Sequence, residues 1–294
     1  MKPGEPIVPA TLEVSISRAE MLRHNRWNAG YYEDRFRRNE RRLRKLRSVP
    51  LDKFIPEELP DGSKGITYGQ VGARKLSPHG SVRYLQVINI RDTGIDFSIK
   101  PDRVAEGSHN DPERSRVIQH DILMTNTAFR GTETLIGRCV VISRNYGRLN
   151  ISQDIDRIRV QGVNPYYVGT FLKTRFGQLQ IQRFVHGVDS QKINFGHVRG
   201  FLLPVLPASV QEEVEDQYLG MARCHDRAMA IKERILAARN IQPGRYGEAI
   251  NELANQNASY RRATSEAQER LKHLISELEA VLEGEQKKVR PYPG

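Results

Sequence analysis

The chain has 294 residues, 38% of them hydrophobic and 28% charged, enough for one large domain or two modest ones around a buried core. No apolar run approaches the roughly 18–20 residues a membrane-spanning helix needs, which excludes an integral helical membrane protein. Its two cysteines, Cys139 and Cys224, form no Cys-x-x-Cys pair, which reads against a disulfide scaffold or a cysteine zinc site; a reducing cytoplasm fits best.

Lys and Arg number 46 against 35 Asp and Glu, a net charge of +11. That balance calls for an anionic partner, nucleic acid or an acidic surface. The excess is localised: net −1 over residues 1–17, +7 over 18–48, +6 over 49–207 and −1 over 208–294. The asymmetry separates a DNA-facing part from an assembly part. Met1 to Ala10 has no apolar stretch, which reads against a secretory signal peptide.

In chain order, residues 18–47 read as one helix. Tyr32, Phe36, Asn39, Leu43 and Leu46 form a stripe at three-to-four spacing, with Arg37, Arg38, Arg41, Arg42, Arg44 and Lys45 on the other faces. Such a face is either merely solvated or contacts phosphate; Pro50 closes the element. Short strand-like runs follow. Arg83–Ile90 alternates, Asp92-Thr93-Gly94 reads as a turn, and Ile95–Ile99 alternates again, as in a hairpin. Asp121–Thr125, Arg138–Ile142 and Ile155–Val160 are further strands. Asn164 reads as an N-cap with Pro165 at the first helical position, opening a helix to about Phe184. From Val210 the pattern is helical: Val210, Val214, Gln217, Met221, Cys224, Ala228, Ile231, Ile235 and Ala238 form an a/d seam. Pro243-Gly244 and Gly247 interrupt it, and Ala267, Leu271, Leu274, Leu278 and Val281 form a second seam. The pair suggests an antiparallel hairpin, one arm of a dimeric coiled coil, or the end of a plain bundle. Lys287 to Gly294 reads as a frayed tail. The expected fold class is α+β, with a basic helical segment over 1–48, a strand-rich domain over 49–207 and a long-helix coiled-coil hairpin or arm over 208–294.

Catalytic patterns are thin. Asn164-Pro165-Tyr166-Tyr167 resembles the Asn-Pro-Pro-Tyr loop of adenine methyltransferases, but the second proline is missing, and no Gly-rich turn upstream would bind S-adenosylmethionine. A helix N-cap explains the same residues. The eight histidines show no metal-ligand spacing, and neither a Gly-x-Ser-x-Gly elbow nor a P-loop occurs. Asp121, Asp154 and Asp156 lack the Glu-x-Lys partner of a metal-dependent nuclease. The chain reads as a binding protein with no catalytic residue, cofactor or metal of its own.

Residues 83–217 resemble a target recognition domain of the type I restriction–modification specificity subunit. The resemblance rests on ordered segments: Arg83–Ile90 with Gly94-Ile95; His120-Asp121-Ile122-Leu123, like that family's Gly-Asp-Ile-Leu with His120 in place of Gly; Gly137–Val141; Asn150–Asp154; Pro165-Tyr166-Tyr167; Phe171–Gly177; Gly187, Gln191 and Ile193-Asn194; and Pro204–Pro207 with Gln211. That family carries two recognition domains, each followed by a long helix, whereas this chain has one. It resembles a half subunit. Two copies could pair through their helices to read a split palindrome, or helix 248–283 could fold back on helix 209–239 within a monomer.

The resemblance implies a sequence-specific reader of double-stranded DNA. Its partner would be an adenine-N6 methyltransferase subunit that brings S-adenosylmethionine, with a restriction or other phage-defence effector downstream and no membrane. Polar residues on the loops are the expected base and phosphate contacts: Tyr68, Gln70, Arg74, Lys75, Arg91, Asn126, Thr127, Arg130, Ser190, Gln191 and Lys192. Arg38, Arg42 and Lys45 are expected on the DNA backbone. Val210, Val214, Met221, Ile231, Ile235, Leu271, Leu274, Leu278 and Val281 are the expected assembly residues. The competing classes are a self-contained DNA-modifying enzyme and a basic coiled-coil regulator acting without a methyltransferase.

Overall fold

A computed structural model of the chain describes residues 15–24, 26–71, 76, 79–127, 136–185, 192–238 and 254–294. The expected first helix is two, α1 (Arg18–His24) and α2 (Asp34–Lys45), with a 3-10 turn at Ala29–Tyr32 between them. Asn28 and Glu33 flank that turn with non-helical ψ angles of 130° and 141°. The break has a packing cause. Tyr31 and Tyr32 are both buried, and adjacent residues of one continuous helix would point about 100° apart. Of the expected stripe, Phe36, Asn39 and Leu43 are buried along α2 as their spacing predicts; Tyr32 is buried from the 3-10 turn, and Leu46, at the C-cap, is half-buried. Pro50 does not stop the helix; it is the last residue of strand β1 (Ser48–Pro50).

The strands are β2 (Ile66–Tyr68), β3 (Val82–Leu85), β4 (Arg103–Val104), β5 (Ile122–Thr125), β6 (Cys139–Val141), β7 (Leu149–Ile151), β8 (Ile155–Ile158) and β9 (Leu202–Pro204). They form a four-stranded antiparallel sheet in the order β2-β8-β5-β6, a three-stranded sheet β4-β3-β7, and the pair β1-β9. The expected Arg83–Ile90 strand ends at Leu85, because Gln86 and Asn89 cap a 3-10 turn over Val87–Asn89. The hairpin beyond it survives only as an isolated bridge between Ile90 and Ile95.

Every residue of β5, β6 and β8 is buried, because this sheet is covered on both faces. Leu123, Val140 and Ile155 face the second sheet with Leu85, Leu149 and Ile151. Ile122, Met124, Cys139, Val141 and Ile158 face the helices. Helix α3 (Pro165–Lys173) begins where Asn164 caps it, the Oδ1 accepting from the Tyr166 and Tyr167 amides. Thr174 then leaves helical geometry (ψ 160°), so the expected single helix is α3 followed by α4 (Arg175–Val185). A short α5 (Phe195–Arg199) follows.

Helices α6 (Ala208–Ala238) and α7 (Ala258–Glu283) pack antiparallel in one chain: Val210, Val214 and Met221 meet Leu271, Leu274 and Leu278, while Ala228 meets Tyr260 and Ala263. Helix α6 does not project as an arm. The Tyr218 hydroxyl accepts from the Val141 amide at 2.8 Å, His225 Nε2 lies 3.1 Å from the Ile95 carbonyl, and Asp226 takes Arg144 and Tyr146. The tail is likewise held rather than frayed. Glu213 accepts from the Val289 amide, Gln217 from the Tyr292 amide, and Glu277 pairs with Arg290. Among the described residues no helix is long and apolar enough to cross a membrane.

Candidate nucleic-acid interface

Strands β2, β8 and β5 place Tyr68, Asp156 and Met124 in one register row. The residues that follow β5, Asn126 and Thr127, therefore emerge at the Tyr68 end of the sheet. The segment leading into α5 crosses the same end: Thr127 bridges Lys192, and the Ile193 amide donates to the Asn126 carbonyl at 2.8 Å. Lys192 Nζ lies 5.9 Å from the Tyr68 ring centroid, and the Phe195 ring lies 5.5 Å from it. Gln70 sits beside them, its Oε1 accepting from Arg114 Nη2 at 3.2 Å and its Nε2 lying 2.8 Å from His109 Nε2. The fold thus brings together Tyr68, Gln70, Thr127 and Lys192, and adds His109, Arg114 and Phe195. The first two of these additions sit in a turn-rich stretch with no periodicity to announce them.

Asn126 does not belong to the exposed set. It is 1% exposed; its Nδ2 donates to Asp156 Oδ1 at 2.6 Å and to the Gln153 carbonyl, and its Oδ1 accepts from Thr127. A buried amide so engaged holds the loop and does not read a base. Arg74, Lys75, Arg130, Ser190 and Gln191 lie outside the described residues.

Two acids beneath this end are shifted by burial. Burial drives the Asp156 carboxyl up to about 7, against the opposing pull of the Asn126 hydrogen bond and Lys192. Burial also raises Asp154, despite Lys192 and Thr127. Partial protonation of Asp156 near neutral pH weakens the negative field that would otherwise offset Lys192.

The other expected contacts fall elsewhere. Arg91 lines a cleft of about 800 Å³ between the strand domain and α6–α7, together with Arg138, Lys173 and Tyr260. There Lys173 Nζ donates to the Asp92 carbonyl at 2.7 Å, and Arg138 pairs with Asp92 at 3.2 Å. On α2, Arg38 pairs with Asp34, and Arg42 reaches Glu283 of α7 at 3.3 Å while covering the Phe176 ring. Arg38, Arg42 and Lys45 share a shallow groove with Arg41, a third basic location. Of the expected assembly residues, Val210, Val214, Met221, Leu271, Leu274 and Leu278 are buried and Ile231, Ile235 and Val281 half-buried, all within the α6–α7 packing of one chain.

Asn164 is occupied as a cap: besides accepting from two amides, its Nδ2 donates to Glu215 at 2.6 Å and its backbone amide to Gln211. Tyr166 and Tyr167 are buried. That arrangement has no opening for a flipped base. Among the described residues, no group of three His, Cys, Asp or Glu side chains is placed to hold a metal ion.

His120, which stands where the resembling strand motif has Gly, adopts φ 74°. This left-handed region is one that glycine enters at least cost.

No family model matches the chain, and no curated protein matches its sequence. Among solved structures the chain is similar to the crystal structure of a type I restriction–modification system S subunit from M. genitalium, with 11% sequence identity and a TM-score of 0.41. The similarity covers 66% of this chain and 42% of that one, so the chain spans less than half the length of that S subunit.

Proposed function

We propose that the chain is a DNA recognition module of the type I specificity-subunit kind, reading sequence for an adenine-N6 methyltransferase subunit that carries S-adenosylmethionine. The observation that carries this reading is the convergence of Tyr68, Gln70, Thr127 and Lys192 with His109 and Arg114 at one end of the strand domain, in a chain of net charge +11. Ring, amide and cation together suit a groove: Arg and Lys engage phosphate or guanine edges, and Gln engages adenine. The ordered sequence segments and the left-handed His120 support it as well. With α7 folded back on α6, one chain offers one recognition unit and thus reads one half-site. The outer faces of the hairpin dock the methyltransferase. The methylating complex then works alone or with a restriction or other defence effector.

The test is purification of the tagged chain from its host, followed by duplex-DNA binding with and without the proteins recovered. Recovery of an adenine methyltransferase, with sequence-selective binding by the complex, is the expected result. A chain that purifies alone and binds DNA tightly and selectively by itself is instead a stand-alone regulator.

A further inference from the structure

The Tyr68 surface continues toward the N-terminal segment. Between α1 and α2, Arg26 lies 2.5 Å from His197 Nε2, and its guanidinium carbon lies 5.6 Å from the Phe184 ring centroid and 5.7 Å from that of Tyr31. The His197 ring stacks on Phe184 at 4.2 Å and 18°. Burial, with the neighbouring Arg26 second, pushes the His197 imidazole down to about 4, so near neutral pH it is an uncharged acceptor for Arg26. Two residues before His197 on the same short helix, Phe195 meets Tyr68, over which Lys192 sits. Trp27, next to Arg26, is 67% exposed, and Tyr68 is 38% exposed. The result is two ring pairs met by the same short helix, Phe184–His197 beside Arg26 and Phe195–Tyr68 with Lys192 over it, with the exposed indole of Trp27 next to Arg26 in the chain.

Large exposed rings need a reason, since burying an aromatic side chain is among the most favourable steps in folding. Rings alone would suit a protein or a lipid surface. Rings flanked by Arg26 and Lys192 suit a partner that has both π faces and negative charge, and a nucleic-acid strand has both. Bases inside a duplex present edges, not faces, so stacking requires a base outside the helix. Resting on the DNA-reading role above, we propose that the strip from Trp27 to Tyr68 is a stacking platform for a nucleobase displaced from the duplex. Lys192 and Arg26 hold the adjoining backbone.

Trp27 is the sole tryptophan, so emission excited selectively from tryptophan reports on this site alone. The full chain is titrated with three short duplexes of one sequence: fully paired, bearing one unpaired extra base, and bearing an abasic unit in place of that base. The extra-base duplex is expected to quench Trp27 and to bind roughly 5-fold or more tighter than the other two, within the range of base–aromatic stacking. Trp27→Ala abolishes that preference and leaves paired-duplex binding unchanged; Trp27→Phe retains part of it. Equal affinity and equal quenching with all three duplexes would overturn the platform while leaving duplex reading intact. Binding to none of them at low salt removes the DNA-reading role and the platform together. Quenching by a purified methyltransferase subunit and by no DNA assigns the strip to a protein contact, with exposed Leu22 of α1 as an aliphatic anchor, and overturns the proposal.

Discussion

Lys232 Nζ on α6 donates to Asp96 Oδ2 across 2.8 Å, and the two side chains are 1% and 6% exposed. The pair fastens the long helix to the turn that follows β3. Asp96 also accepts from the Ser98 hydroxyl and amide. Burial would raise the Asp96 carboxyl, but Lys232 and Ser98 outweigh it and hold it below its ordinary value of 3.8. A depressed carboxyl contributes its stability fully above that value, and the contribution is lost as pH falls below it. Lys232→Met leaves a buried carboxylate without its cation and should cost about 3–5 kcal/mol, whereas pairing it with Asp96→Leu should recover much of that. Urea unfolding of the single and double variants at neutral pH measures both.

Tyr218 is expected to matter through one hydroxyl. It takes the Val141 amide at the outer edge of the four-stranded sheet, a place where an unpaired strand is a liability. Tyr218→Phe keeps the ring but strands that donor, and the expected loss is about 1–3 kcal/mol, read as a drop in thermal midpoint.

His120, two residues before β5, carries a positive φ of 74°. His120→Gly removes the clash of Cβ with its own backbone, a gain of about 1–2 kcal/mol. Against it stand the greater freedom of glycine in the unfolded chain and the edge contact with Tyr166 at 5.7 Å. The net expectation is a small rise in melting temperature, and a fall would show that the Tyr166 contact dominates.

Asp156 works in the opposite sense to Asp96. With its carboxyl raised by burial to about 7, the folded chain keeps a proton that the unfolded chain releases near the ordinary 3.8. Stability from this group therefore falls as pH rises from about 4 to about 7 and is flat beyond. Asp156→Asn keeps an oxygen for the Asn126 donor and removes the titration. It should be the more stable protein at pH 8, by at most about 4 kcal/mol at ~1.4 kcal/mol per unit, and the difference should vanish near pH 4. Melting curves of the two proteins across that range decide it.

Salt dependence of DNA binding separates the basic locations. Lys192→Ala, Arg38→Ala and Lys45→Ala should each weaken binding evenly across sequences and lower the slope of log affinity against log salt by about 1 if the side chain meets phosphate. Arg91→Ala, in the cleft against α6 and α7, should leave the slope unchanged. Fluorescence anisotropy over a salt series provides the comparison.

Periodicity and capping chemistry are local, and what depends on them was legible in the residues. The α6 and α7 seams and the buried stripe Phe36-Asn39-Leu43 follow from spacing of three to four, strands β5, β6 and β8 from short apolar or alternating runs, and the Asn164 cap from a side chain that bonds nearby backbone. Asn126, by contrast, reads as an ordinary polar loop residue until Asp156, thirty positions away, arrives beneath it at 2.6 Å. The same holds for Gln70 with His109 and Arg114, and for Arg26 with His197.

Composition and residue spacing alone specify a mixed α+β chain with a basic front, a helical rear and a seam on each long helix. Tertiary structure alone decided that the seams close on each other, that α6 lies along the strand domain, and which loop side chains stay exposed. The reason is physical: a heptad seam specifies that a face must be buried but not by what, and exposure of a loop residue is set by neighbours distant in sequence. Anchoring of the tail on Gln217 and Glu277 rests on the same long-range pairing, which no local pattern encodes.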